Sequence, residues 1–205
     1  MDDQDLRVAC DWLAARDRAL GDCLDRYGYP PMWQRSGGFA SVVLMILEQQ
    51  VSLESARSVY RRLVRHFGSI SAKAIEAAGT DALYECGVTR QKSGYIHHLA
   101  CQVVTGQFRF SQLARLPDHE VRQKLVSLKG IGPWTADVYL LFALNRHDVW
   151  PPGDIALIKS VSEVYHLEMV PSSADCERIA EAWRPWRAVA ARMFWYAYLC
   201  RRNRI

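Results

Sequence analysis

The run Trp150-Pro151-Pro152-Gly153-Asp154 brings a carboxylate to a point where two prolines stiffen the chain and a glycine turns it. An amphipathic stretch follows, with Ile155, Leu157, Ile158 and Val161, so Asp154 is a candidate helix N-cap. The positive end of a helix dipole favours the anionic form of such a group, which suits it to stabilise positive charge on a reacting molecule. A second run, Leu128-Lys129-Gly130-Ile131-Gly132-Pro133-Trp134-Thr135-Ala136, has the residue types of a phosphate clamp. One helix ends at Leu128, two glycines bracket a single aliphatic residue, and Pro133 is placed to open the next helix. Gly130 and Gly132 permit positive φ and leave backbone amides unshielded, while Ile131 can plug the turn into the core. Outward amides at a helix N-terminus form a nest for phosphate. The aliphatic between the glycines, with Thr135-Ala136 inside the following helix, favours a DNA phosphate over an ordinary corner between helices.

Other reactive side chains are arranged less informatively. The six cysteines stand at 10, 23, 86, 101, 176 and 200, with no zinc or iron–sulfur spacing, and read as small buried hydrophobes in a reducing compartment. Arg57, Arg61, Arg62 and Arg65 recur at helical spacing, and six arginines with no acid follow residue 182. Clusters of this kind attract polyanions, but a solvated helix face explains an isolated one equally well, so charge alone decides nothing.

Several classes are excluded by composition. The 205 residues are 50% hydrophobic and include 7 Trp, 9 Tyr and 6 Phe, which rules out a disordered chain and supplies a sizeable core. No apolar run approaches the roughly 20 residues that cross a bilayer, and the acidic start Met1-Asp2-Asp3-Gln4-Asp5 is unlike an export signal, so a cytoplasmic address, nucleoid included, is expected. The net charge of +4 is uneven. Seven acids and four bases lie within the first 26 residues (7 − 4, net −3), leaving +7 on residues 27 to 205, so the basic part is where a polyanion would bind.

The elements that must position Asp154 and the hairpin are helices. Apolar residues recur at intervals of three and four, as in Val8, Trp12, Ala15, Ala19 and Cys23, and again in Val59, Leu63, Val64 and Phe67. With glycine and proline as punctuation, the pattern predicts an all-α chain with helices over 5–26, 38–50, 53–67, 71–78, 80–86, 90–105, 118–128, 133–145, 155–166, 173–183 and 186–202. There is no confident strand, internal repeat or low-complexity linker.

On these residues the chain resembles the helix-hairpin-helix DNA glycosylases, from about Phe39 to Tyr196, and within them the 3-methyladenine-DNA glycosylase II family of inducible alkylpurine enzymes. Leu47-Glu48-Gln49-Gln50-Val51-Ser52 looks like the family segment that meets the minor groove at the lesion. Gly87 to Lys92 followed by Ile96, the hairpin, the Pro-Gly-Asp segment and Trp183-Arg184-Pro185-Trp186-Arg187 follow in family order. The resemblance implies two helical lobes, one over 37–147 containing the hairpin 128–136, the other formed by 1–36 with 148–205 and carrying Asp154 and the C-terminal helix, with a DNA-binding cleft between them. It makes Asp154 the catalytic carboxylate, places Gln49, Gln50, Lys129, Gly130, Ile131, Gly132 and Thr135 at the DNA, and gives the base pocket Trp134 and Trp195, which would sandwich an extruded purine.

What the resemblance implies for the reaction is base release by water. Bifunctional relatives carry a lysine nucleophile two residues after the second hairpin glycine; here that residue is Trp134, so no Schiff base can form there. Lys129 and Lys159 are off that position. The expected substrate is a cationic alkylpurine such as 3-methyladenine or 7-methylguanine in duplex DNA, met by electron-rich aromatic faces. No cofactor is required, no iron–sulfur cluster is present, a monovalent cation bridging hairpin and phosphate is allowed for, no membrane is involved, and a monomer is expected. The sequence departs from its relatives at two positions: the pocket tyrosine one turn after Trp134 is Val138, with Tyr139 on a different face, and the apolar wedge position is Gln50. Of the aromatics ahead of Phe39, Tyr27, Tyr29 and Trp33, with Met32, either line the cleft or staple the first helix, and the staple is favoured. The alternatives are a non-catalytic DNA-binding module and a glycosylase for deaminated or mismatched bases. Asp154 and Trp134 favour an enzyme, because a bare phosphate clamp needs neither.

Overall fold

The computed structural model describes residues 1–204, and among these there is helix and no strand. In chain order the helices are α1 (Asp3–Ala14), α2 (Arg18–Tyr27), α3 (Phe39–Glu48), α4 (Leu53–Phe67), α5 (Ala72–Glu85) and α6 (Arg90–Val104). They continue with α7 (Phe110–Leu113), α8 (Asp118–Val126), α9 (Pro133–Phe142), α10 (Ile155–Val164), α11 (Ser173–Ala180) and α12 (Arg187–Cys200), with a 3-10 turn at Glu181–Trp183. No helix among the described residues is long and apolar enough to cross a membrane.

Most predicted helices are present with shorter ends, and one is divided. The helix expected over 5–26 is broken, because the Asp17 carboxylate accepts from the amides of Ala19 (3.0 Å) and Leu20 (3.3 Å) and so starts α2 anew. The pair expected at 71–78 and 80–86 is present within α5, as two helices that meet at a kink where Gly79 is non-helical (φ 76, ψ −173). The short α7 was not foreseen; its four residues are too few to show a period.

The chain divides into two compact units, Met1–Gln34 with Leu140–Ile205, and Arg35–Tyr139. The boundary expected at residue 147 falls instead within α9. Up to Tyr139 that helix is engaged with the central unit, where the Gly38 amide donates to the Tyr139 hydroxyl at 3.2 Å and Phe110 lies 6.1 Å from its ring. From Leu141 onward its groups meet residues of the other unit.

In the terminal unit, α12 packs on α2, α10 and α1. Its core holds Leu6, Leu13, Leu20, Val161, Trp183 and Phe194, with Trp150 and Trp183 rings 5.2 Å apart. In the central unit, α3 packs on α4 and α6, and α5 on α6, around Val43, Ile46, Leu63, Ile75, Leu83 and Ile96. Each buried aliphatic of this kind contributes about 1.5 to 3 kcal/mol.

Candidate active site

The hairpin is built by short backbone bonds that leave its apex open. The Leu128 carbonyl accepts from the Ile131 amide at 3.1 Å, and the Gly132 carbonyl from Ala136 at 3.0 Å, the first bond of α9. Ile131 is buried, as its role as a plug requires. The two glycines differ in what they need. Gly130 has φ +85, and a Cβ there would stand 2.2 Å from the Tyr95 ring, so only a hydrogen fits. Gly132 is not in the left-handed region, and a Cβ on it would meet nothing within 4 Å. The expectation of positive φ therefore holds for Gly130 alone; Gly132 instead leaves open space beside the first turn of α9.

Side chains expected at the DNA turn out to hold the hairpin. Gln49 Nε2 donates to the Gly130 carbonyl (2.9 Å) and to Thr135 Oγ1 (3.1 Å). Thr135 is buried, so its hydroxyl faces this bond and not a phosphate. Lys92, whose spacing in the sequence signals no role, donates from Nζ to the carbonyls of Leu47 (2.8 Å) and Gln49 (2.7 Å), closing the end of α3; burial lowers its pKa. Gln50 follows, exposed, with φ 57, flanked by the exposed Val51 and Leu53. Lys129 is exposed and Trp134 half-buried. Val138, expected in the base pocket, is 3% exposed, which leaves it almost no surface with which to touch a base: it packs in the interior instead.

In the terminal unit the carboxylate is held from two sides. Asp154 is the N-cap of α10, its Oδ1 accepting from the Leu157 amide at 2.9 Å, and the Trp195 indole N–H donates to the same oxygen at 3.2 Å. The approach is anchored by buried Trp150 and Pro151 and by the Gly153 amide, which donates to Ser173 Oγ at 2.8 Å. Trp195 is half-buried and stacks on Phe142, with centroids 5.3 Å apart and planes at 27°. Such an arrangement fixes an anion beside aromatic faces, the combination that stabilises a cation forming next to it.

The basic clusters resolve differently from their sequence spacing. Arg184 and Arg187 pair with Asp148 and Glu181, Arg201 and Arg202 with Glu163, and Arg192 is fully buried, so most of the C-terminal run is engaged within the fold. On α4, Arg62 donates to the Cys86 carbonyl at 2.8 Å, while Arg57, Arg61 and Arg65 are exposed. Among the described residues no group of three His, Cys, Asp or Glu could hold a metal.

The family described as HhH-GPD superfamily base excision DNA repair protein matches residues 43–185. The chain is 25% identical over 162 residues to the alkylbase DNA glycosidase-like protein mag2 of Schizosaccharomyces pombe, which covers 77% of this chain and 76% of that protein. Two relatives from Bacillus subtilis are longer, and the chain spans 55% and 56% of them. A DNA-3-methyladenine glycosidase from Bacillus halodurans superposes with a TM-score of 0.80 at 28% identity, covering 93% of this chain and 89% of that one. The 3-methyladenine DNA glycosylase Mag1 of S. pombe, solved with abasic DNA, has the same fold with a TM-score of 0.82 at 22% identity, covering 95% and 96%.

Proposed function

Because the chain belongs to the HhH-GPD superfamily of base excision DNA repair proteins, we propose that it is a DNA glycosylase that hydrolyses the N-glycosidic bond of alkylated, cationic purines in duplex DNA. The observation that carries this reading is the Asp154 carboxylate, which two N–H donors hold on one oxygen at the start of α10. When the C1′–N bond breaks, its electrons leave with the purine, which departs neutral, and positive charge develops on the deoxyribose. A fixed carboxylate stabilises that charge and orients the attacking water, whose oxygen bonds to C1′ while one of its protons passes to the carboxylate and on to solvent, leaving the abasic hydroxyl. Trp195, bonded to Asp154 in the terminal unit, supplies an aromatic face for the base, Trp134 is half-buried at the first turn of α9 in the central unit, and the names of the relatives support an alkylated base.

The hairpin supports a phosphate at the amides that begin α9, beside the open space at Gly132. The carbonyls of Leu128, Gly130 and Gly132 each accept one hydrogen bond and keep a second lone pair, so they could hold a monovalent cation against a phosphate oxygen; hydrolysis has no step that depends on it. Lys129, exposed beside the turn, adds charge there.

The test is release of bases from methylated genomic DNA, identified by mass, with 3-methyladenine and 7-methylguanine expected. Under single-turnover conditions both should leave faster than hypoxanthine, and Trp134→Ala should cost the cationic bases more, on the order of 1 to 2 kcal/mol. DNA binding without release of any base would instead support a non-catalytic module, and faster release of hypoxanthine would support a pocket for neutral lesions.

A further inference from the structure

Arg192 is a fully buried cation in the terminal unit. It is 0% exposed, and burial drives its pKa down to about 10. No carboxylate pairs with it among the described residues, and its Nε lies buried without a hydrogen-bond partner. An unpaired buried cation is costly, so packing alone does not account for it. Its two terminal nitrogens donate to two carbonyls, those of Met32 and of Leu141 (2.9 Å). Each carbonyl stands one residue before an aromatic ring, Trp33 in one case and Phe142 in the other. The guanidinium also lies over the Phe142 ring, 4.9 Å from its centroid.

Trp33 is itself unusual. Its backbone has φ 46, a left-handed conformation that bulky residues rarely adopt and that persists where the surroundings impose it. Its indole is half-buried and meets Phe142 and Tyr196 edge to face, at 6.5 and 6.2 Å. Phe142 is the ring on which Trp195 stacks, and Trp195 is bonded to Asp154. A continuous series of rings therefore runs from Trp33 through Phe142 and Trp195 to the carboxylate. Of the other aromatics of the N-terminal segment, Tyr29 staples the first helix, its hydroxyl donating to Asp11 at 2.8 Å, while Tyr27 accepts from Arg201 at 3.0 Å. Among the described residues no polar group anchors the Trp33 ring, which is set instead by the backbone before it.

We infer that the Trp33 indole, positioned by the Arg192 guanidinium, forms a wall of the pocket that receives the alkylated base. The inference rests on the glycosylase reading and adds to it a specificity-determining residue from the N-terminal segment. Arg192 acts through Trp33 and Phe142 and does not touch the base.

The experiment compares Trp33→Ala, Trp33→Leu and Trp33→Phe with the parent protein in single-turnover release of 3-methyladenine and of hypoxanthine, with melting curves and affinity for undamaged duplex measured alongside. Trp33→Ala should slow 3-methyladenine release by about tenfold, the scale of one lost contact between a cation and an aromatic face, and hypoxanthine release by less. Trp33→Phe should restore most of the rate and Trp33→Leu should not, while binding to undamaged duplex stays at the parental value. Arg192→Lys, chosen because it keeps the charge and is milder than a neutral replacement, should reproduce the same lesion-dependent loss. Equal rescue by Leu and Phe, or equal losses for the two bases, would make Trp33 a packing residue and overturn the inference. Failure of the parent protein to release any base would instead overturn the glycosylase reading.

Discussion

The indole N–H of Trp195 and the backbone N–H of Leu157 meet on the same oxygen of Asp154, at 3.2 and 2.9 Å. Trp195 is thus both an aromatic face and a positioner of the carboxylate, a role invisible in its sequence spacing. Asp154→Asn should keep the fold and DNA binding and lose base release by ~2.7 to 4 kcal/mol of barrier, the scale for a removed electrostatic stabiliser. Trp195→Phe keeps a ring to stack on Phe142 but removes the N–H, so it should cost about 1.5 to 3 kcal/mol, as for a hydrogen bond to a charged group. Single-turnover rates decide both; a parental rate in Asp154→Asn would leave the residue as a cap only.

The two hairpin glycines should fail in different assays. Gly130→Ala forces a side chain into the left-handed region and against Tyr95, so it should lower thermal stability by roughly 1 to 3 kcal/mol. Gly132→Val points into open space and should melt like the parent, yet weaken binding to any duplex, lesion or not. Unchanged affinity in a folded Gly132→Val protein would remove the phosphate argument.

How much of this was legible in the sequence follows from the range of the interactions concerned. The hairpin and the Asp154 cap are local: glycine, proline and carboxylate act within four residues of their own position, and spacing finds them. The break at Asp17 was hidden because the apolar period runs through it, from Trp12 to Cys23, while a single capping carboxylate decides the outcome. Gln49, Lys92, Trp33 and Arg192 act across tens of residues or more, on carbonyls and rings that no pattern brings together. Val138 was misplaced for the same reason, its neighbours being set by tertiary packing.

Borohydride present during the reaction should trap no covalent protein–DNA adduct, and the product should be an abasic site on an unbroken strand. Trp134 has no amine to form a Schiff base. An adduct mapping to Lys129 or Lys159 would place the chain with the lyases.

Glu163 gives stability a dependence on acid. Hydrogen bonds from Arg202, then Arg201, hold its carboxyl below the ordinary 4.5. A depressed folded value contributes stability that is present above the unfolded value and lost as pH falls through the folded one. Glu163→Gln should therefore melt lower than the parent at pH 7, and the gap should close below about pH 4.5. A gap independent of pH between 7 and 3 would show that shape, not charge, is what the side chain supplies.

Asp17 ties the two ends of the chain together. Its Oδ2 accepts from the Trp183 indole at 3.0 Å and from the Tyr165 hydroxyl, partners 166 and 148 residues further along. The ribosome releases the first 34 residues long before either partner exists, whereas the whole of Arg35–Tyr139 emerges as one uninterrupted stretch. During synthesis the central unit can close on itself while α1 and α2 wait with their apolar faces uncovered. A nascent chain stalled with residue 139 outside the exit tunnel should therefore show protease-resistant structure from residue 35 onward and a cleavable N-terminal segment, and the hairpin would be formed before Asp154 and Trp195 can meet.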